Sequence, residues 1–314
     1  MPFFFLPMTR YNSYRSYLSE RFGTPVLRVP VNGGFSCPNR DGTKGTDGCS
    51  FCDNRSFSPV AVDPAGAQEQ YRAVIGRSQD RYRAFIPYLQ PFTNTYGTVE
   101  RLRMIYEPLL AVEGTVGLAV GTRPDCLPGD ILDYLSQVNS RTHLCVELGL
   151  QSGHDRTLER VCRRHSVADF IGAVEALHAR GIYCAAHVIL GLPGETEPMM
   201  LETARLLASL PVDGVKIHQC MVVAGTALAR EYAAGAFAVL DRDEYVRLAA
   251  GFIARLRTGQ HIHRLMAQSR PADGLVAPLW SMDKQAFTAA FNRRLEADGI
   301  VQGCRYTARP SDCR

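Results

Sequence analysis

Apolar and polar positions alternate in blocks along this chain. Continuous or every-second-residue apolar runs recur at residues 26–31, 84–89, 116–120, 144–150, 183–190 and 215–223. Runs of this length, apolar throughout and rich in β-branched residues, predict strands buried on both faces of a parallel sheet. The intervening stretches carry apolar residues at helical spacing, as at Leu102, Ile105, Leu109 and Leu110. They predict helices over 63–82, 99–112, 130–138, 156–163, 169–180, 199–210, 227–234 and 244–257, with a break near Ser166. A further helix over 11–22, closed by Gly23, precedes the first strand. Strand and helix therefore alternate about six times, which is the pattern of repeated βα units in an α/β fold. Polar or glycine-rich signatures follow the strands, at the sheet edge where α/β proteins bind ligands. Residues 263–314 do not continue the repeat. They contain Arg270-Pro271-Ala272-Asp273-Gly274 and a helix over 283–298. The expected organisation is a helix at 1–22, a core at 23–262 and a C-terminal extension at 263–314 near the open side of the core.

The loop after the first strand carries the densest chemistry. Eleven residues separate Cys37 from Cys49 and two separate Cys49 from Cys52, in a setting of glycines and polar residues. A Cys-x-x-Cys pair lets two thiolates reach one metal centre. Structural zinc sites close with four ligands and most iron–sulfur clusters take four thiolates. No fourth cysteine or nearby histidine follows at ligand spacing, so three ligands leave one position open for an outside ligand. Glycines permit the positive φ values that a loop around a cluster needs, and Phe51 is placed to shield it. A redox Cys-x-x-Cys pair leaves Cys37 unexplained, and a zinc knuckle lacks its fourth ligand.

The three-cysteine loop with an aromatic before its last cysteine resembles the radical S-adenosylmethionine (SAM) superfamily. The long spacing between the first two cysteines resembles the branch near the Elongator catalytic subunit. Phe35-Ser36-Cys37-Pro38-Asn39-Arg40-Asp41-Gly42 is similar to the YhcC/YtqA group within it. The resemblance spans about residues 14–303. It implies a partial (βα)6 TIM-like barrel of the radical SAM type with a C-terminal extension. It implies a [4Fe-4S] cluster on Cys37, Cys49 and Cys52, SAM on the unique iron, and a one-electron donor of the flavodoxin or ferredoxin kind. It also implies SAM contacts after successive strands. Thr93 and Asn94, in Gln90-Pro91-Phe92-Thr93-Asn94-Thr95-Tyr96, stand where the superfamily binds the SAM amino group, although the usual glycine-glycine-acid form is absent; an ordinary polar turn reads equally well. Gln151, supported by Ser152, stands at the ribose position, and Arg163, twelve residues on, at the carboxylate position, where a planar guanidinium suits a bidentate task. A solvated basic helix face explains Arg160, Arg163 and Arg164 almost as well. The run after His187, with Gly191 in Gly191-Leu192-Pro193-Gly194-Glu195, resembles the fifth-strand segment that packs along adenine, and the place of His187 in that strand implies a ribose contact. A lone strand histidine is more often a core residue.

Some candidates come from the residues alone. Glu147 lies inside an apolar strand, which is costly unless the carboxylate is paired or functional. Arg123 and Asp125 follow the third strand. Lys216 and His218 share one face of the sixth. His261, His263, Arg264, Arg270 and Asp273 gather at the start of the extension, where a polar loop is the plain alternative. Cys304 and Cys313 lack a third ligand nearby.

Composition narrows the class little further. The 314 residues are 46% hydrophobic, enough for a large core. The net charge of +4 neither requires nor excludes nucleic acid. Most of the ten cysteines sit in apolar runs and read as buried residues of a reducing compartment. The proline-bound start at 1–7 is too short for a signal sequence, and no apolar run is long enough to span a membrane. A cytoplasmic protein is expected. The resemblance implies a radical SAM enzyme, with tRNA as substrate partner by analogy with relatives that modify the wobble uridine; part of the group is tied to trimming the carboxymethylaminomethyl group there. A radical enzyme acting on a small cofactor precursor and a non-enzymatic iron–sulfur or zinc module remain the alternatives.

Overall fold

The computed structural model describes residues 10–53, 60 and 65–307. The start at 1–7, the first positions of the helix expected at 63–82, and Cys313 lie outside them. The first helix, α1 (Tyr14–Phe22), begins later than apolar spacing indicates, because Ser13 caps it by accepting a hydrogen bond from Ser16 N at 3.1 Å; Gly23, at φ 67°, closes it.

Strands β1 (Val26–Val31), β2 (Ala84–Leu89), β3 (Gly117–Thr122), β4 (His143–Gln151), β5 (Tyr183–Leu190) and β6 (Gly214–Gln219) follow as expected. A short β7 (Val222–Val223) comes next, then β8 (His261–Arg264) and β9 (Leu275–Ala277). One sheet runs in the order β1-β2-β3-β4-β5-β6-β8, every pairing parallel. Strands in sequential order with right-handed crossovers place their helices on a single face, so the sheet curls into a half-barrel instead of winding both ways. Helices α2 (Ala67–Ser78), α3 (Val99–Leu110), α4 (Gly129–Asn139), α5 (Asp155–Arg160), α6 (Val167–His178), α7 (Glu197–Ser209), α8 (Ala227–Ala233) and α9 (Arg242–Ile253) lie between the strands, and α10 (Lys284–Ala297) follows β9. β7 and β9 pair antiparallel.

The pleat sorts the core into two. Val29, Val120, Val146, Val188 and Ile217 face outward against Leu102, Leu135, Phe170, Leu207 and Phe252 of the helices. Ile86, Ala119, Cys145, Tyr183 and Ala185 face inward and meet Tyr14 and Leu18 of α1. The first helix is thus a plug for the amino-terminal end of the half-barrel, and Tyr14 Oη lies 3.2 Å from His143 Nε2.

The structure differs from expectation at the seventh strand. His261–Arg264 extends the sheet beside β6, across the position at which the repeat was expected to end. Its His-Ile-His-Arg sequence hides it, because the side chains that face the barrel interior are polar. The register shifts between Val215 and Lys216, so that Ile262 pairs with Val215 and Arg264 with Lys216. This bulge lets consecutive residues serve the interior: His263 reaches Glu147, and Arg264 lines the cavity above. Phe287, Phe291 and Leu295 of the C-terminal helix pack into the main core.

Candidate functional site

The Cys37–Cys52 loop hangs from β1 at the carboxyl edge of the sheet and is held from several sides. Cys37 O accepts from Arg40 N at 2.8 Å and Asp41 N at 3.2 Å, which turns the chain directly after Cys37. Ser50 N donates to Val161 O at 3.0 Å, and Leu228 N donates to Ser50 O at 2.9 Å. Asn39 is fully buried; its Nδ2 donates to Cys162 O at 3.0 Å and Arg163 O at 3.2 Å and lies 3.4 Å from Cys49 Sγ. Arg40 closes the far side by donating to Cys52 O. Burial, and then the neighbouring Cys49, push the Cys52 thiol up to about 11.

Below this loop lies one cavity. Cys37, Cys49, Phe51, Cys52, Thr93, Glu147, Gln151, Arg163 and His187 all line it, so most of the residues singled out in the sequence converge. Lys216, His218, Arg123 and Arg264 line it too. Asn94, Ser152 and Gly191 do not. Asn94 clamps the loop after β2, its Nδ2 donating to Leu89 O, Pro91 O and Gly121 O at 2.9–3.0 Å. Ser152 donates to Glu195. Gly191 turns the chain after β5 at φ 84°, and a Cβ there would meet Leu240 at 2.8 Å. All three shape the rim from behind. His261, Arg270 and Asp273 also lie off the cavity.

Two local devices aim polar groups inward. At the end of β4 the register shifts between Gly149 and Gln151, and Gln151 takes φ 75°, a left-handed conformation that costs a glutamine energy. The shift turns Gln151 to the cavity. Gly149 makes room for Arg163: a Cβ there would stand 2.5 Å from Arg163 Nη2, which donates to Gly149 O at 2.9 Å. Arg123 is almost fully enclosed. It grips Asp125 at 2.9 and 2.8 Å and donates to Arg163 O and Arg164 O at 3.0 and 3.2 Å. Arg123 and Asp125 therefore position the Arg163 turn. Although burial opposes it, Arg123 and Lys44 hold Asp125 down to about 2.

Four polar atoms of residues lining this space are buried without partners: Gln151 Oε1, Arg163 Nε, His187 Nε2 and Arg264 Nε. An acceptor, charge-bearing donors and an imidazole nitrogen so left are expected of a site built for a polar ligand. The donor set above them is three thiols, which suits an iron–sulfur cluster with an open iron. A tetrahedral zinc would draw its thiolates within about 4 Å of each other, given Zn–S near 2.3 Å. Among the described residues, the ligand atoms that gather within 4.8 Å of one another are those of Cys145, Glu147 and His263, not the loop cysteines. That lower group does not suit a cation, because Glu147 already carries two and burial pushes the Cys145 thiol up to about 12.

The inner floor is an ionic network that sequence reasoning found only in part. Glu147 Oε1 accepts from Arg28 at 2.5 Å and lies 3.2 Å from His263 Nδ1; Oε2 accepts from Tyr88 Oη at 2.6 Å and Lys216 Nζ at 2.8 Å. Burial alone would raise the Glu147 carboxyl, but Lys216 and Arg28 hold it well below the usual range. Burial, against the pull of Glu147, lowers Lys216 to about 8. Arg28 and Tyr88 were missed. Arg28 is a lone charge within the apolar run 26–31, the same signal that exposed its partner Glu147.

Buried histidines give the fold a pH dependence. Burial lowers His143 to about 4, His165 to about 3 and His263 to about 4. The unfolded chain takes up these protons near 6.5, so it binds more protons than the folded one between 6.5 and about 4, and stability falls as pH falls through that window. The expected slope approaches about 1.4 kcal/mol per pH unit for each histidine. Urea midpoints at pH 7, 6 and 5 check it; a flat series would show that these rings are not held neutral.

Comparison with known proteins agrees with the architecture. The model of the radical SAM superfamily matches residues 37–207, and that of the radical SAM C-terminal domain matches residues 212–297. YtqA of Bacillus subtilis (strain 168) is 38% identical over 297 residues, 94% of this chain and 92% of the relative. YhcC of Escherichia coli (strain K12) is 34% identical over 290 residues, 92% of this chain and 93% of the relative. A tRNA uridine(34) acetyltransferase of Methanocaldococcus infernus is 32% identical over 137 residues, 42% of this chain and 25% of the relative. Among solved structures, Methanocaldococcus infernus Elp3 lacking residues 1–46 superposes with a TM-score of 0.68 at 19% identity, over 88% of this chain and 64% of that one.

Proposed function

Because the chain belongs to the radical SAM superfamily, in the group of YtqA and YhcC, we propose that Cys37, Cys49 and Cys52 hold its [4Fe-4S] cluster and that the cavity beneath them binds SAM together with the substrate. When reduced, the cluster supplies the electron that cleaves SAM to methionine and a 5′-deoxyadenosyl radical, which takes a hydrogen atom from the substrate. The observation that carries this reading is the set of orphaned atoms under the three thiols, Gln151 Oε1, Arg163 Nε and His187 Nε2. Gln151 accepts from the ribose hydroxyls, and the Arg163 guanidinium receives the SAM carboxylate. Thr93 lies at the rim for the amino group. Phe51, packed with Ile189 and Leu192, keeps water from the cluster side. The electron comes from a flavodoxin- or ferredoxin-like donor. Gln151→Ala is expected to weaken SAM binding about tenfold, the worth of one such hydrogen bond. Equilibrium titration of the anaerobically reconstituted protein measures it, and an unchanged affinity would remove Gln151 from the SAM site.

The substrate we infer is the wobble uridine of a tRNA. The partial match to a tRNA uridine(34) acetyltransferase supports this reading, as does the shared architecture with Elp3. Retention of tRNA that weakens steeply with salt, together with a SAM-dependent change in one nucleoside of bulk tRNA by mass spectrometry, is the expected result. SAM turnover with no tRNA retention and no nucleoside change would point to a small-molecule substrate instead.

A further inference from the structure

The floor of the cavity carries more positive charge than its own residues balance. Lys216 from β6 and Arg264 from β8 line it, Arg28 from β1 reaches Glu147 from behind, and Glu147 is the acidic residue among the described residues that line the cavity. Glu147 is already shared between Arg28 and Lys216. Arg264 is left over. It makes no ion pair or hydrogen bond among the described residues, its Nε is buried without a partner, and it lines the cavity. Register places it directly beside Lys216, which in turn pairs with His187 on β5. The histidines around it do not add charge, because burial holds both His187 and His218 well below their ordinary values. Their rings lie 4.3 Å apart and present polar edges to the same space. Arg264 is half-buried, and enclosing its Nε without an acceptor is costly. The β8 bulge that turns both His263 and Arg264 inward is a specific backbone device, and it serves no internal pairing for Arg264.

We propose that Arg264, with Lys216 beside it, forms an oxyanion subsite on the cavity floor that receives a carboxylate or phosphate carried by the substrate. The proposal rests on the reading of this cavity as the SAM and substrate site. It concerns a different anion from the SAM carboxylate. Arg163 stands at the cluster side, with Nη1 3.6 Å from Cys49 Sγ. The charged and phenolic groups acting on Arg264 are instead Tyr88, Glu147, Tyr245 and Arg28. A planar fork suits either oxyanion, and the neighbouring ammonium adds charge without fixing geometry.

The test uses the full-length protein without SAM. Melting temperature is followed against sodium acetate and, separately, inorganic phosphate, with sodium chloride holding ionic strength constant. A saturable rise is expected with at least one anion, and Arg264→Gln is expected to weaken that binding about ten- to hundredfold, as for a charge-assisted hydrogen-bonded pair. A response to acetate alone assigns a carboxylate, and a response to phosphate alone assigns a phosphate. No saturable response in the wild type, or an equal response in Arg264→Gln, overturns the subsite. A parallel SAM titration of the reconstituted protein separates the two anions: if Arg264→Gln weakens SAM as much as it weakens the small anion, the arginine belongs to the SAM pocket and the proposal fails. Should Arg264→Gln not fold, Arg264→Lys keeps the charge without the fork; weaker anion binding supports the subsite and unchanged binding overturns it. Failure of the wild type to bind SAM would sink the cofactor reading while leaving the anion result in place.

Discussion

Serine at Cys37, Cys49 or Cys52 is expected to abolish SAM-dependent 5′-deoxyadenosine formation and to strip most of the iron from the reconstituted protein. A serine hydroxyl differs from the thiol by one atom but stays protonated near neutral pH, so it is a poor ligand for iron that thiolates hold readily. The proposed centre has three protein ligands, so each substitution removes a third of its attachment. The fold is expected to survive, because the loop is fixed by backbone bonds to Val161 and Leu228 and by Asn39, independently of sulfur. Cys304→Ser is the control. Cys304 is exposed and remote from the cavity lining, so iron, sulfide and product should match the wild type. Iron and sulfide analysis, visible absorbance and product chromatography report the outcome. A Cys49→Ser protein with full cluster absorbance and undiminished product would remove these cysteines as ligands.

The sequence made the repeated architecture legible, because each buried parallel strand is a nearly continuous apolar run and each helix has an apolar stripe. β1, β2 and β5 match the expected bounds for that reason. It failed at β8, where polar side chains face an interior that is itself polar. The alternation of Ile262 with histidines on either side there signals a strand only when the inside of the half-barrel is known to hold charge. The candidate site divides along the same line. Gln151 stood out as a polar residue at a strand end and Arg163 by its offset of twelve residues from it, and both line the cavity. Asn94 and Ser152 looked equivalent in sequence, yet they are turned to carbonyls and a carboxylate behind the wall. What separates Gln151 from Ser152 is a register shift and a positive φ, neither of which a residue name encodes.

The floor network explains why α1 and the cysteine loop can share one half-barrel. Small inward residues, Ala119, Gly121, Ala185 and Gly214, leave the volume that Tyr14, Tyr183 and the charged side chains fill. Below Glu147 the interior is aromatic, with Tyr14 stacked on His263 at 3.7 Å. Above it the space is open and polar. Glu147 therefore marks the boundary between plug and cavity, and its charge fixes which side each cation occupies.

Removing that charge is expected to be the most destabilising single change in the site. Glu147→Ala leaves Arg28 and Lys216 buried without a counter-ion and Tyr88 without its acceptor, and loss of one partner of a buried pair costs about 3–5 kcal/mol. Lys216 can relieve part of this by losing its proton, since burial already lowers it to about 8; Arg28 cannot, because a guanidinium does not deprotonate in this range. The remaining cost should therefore fall on β1 and on the contact of its Arg28 with the Tyr14 ring, whose centroid is 5.3 Å from the guanidinium. Urea denaturation of Glu147→Ala, Arg28→Met and the double variant separates pairing from packing. If the network acts as described, the double variant is more stable than the sum of the single losses allows, with a coupling of at least about 1 kcal/mol. Additive losses would mean that Glu147 supports the fold by shape alone. Glu147→Gln refines the point: it keeps the volume and can still accept from Tyr88, so it should fall between wild type and Glu147→Ala. A glutamine variant as unstable as alanine would place the whole effect on the charge.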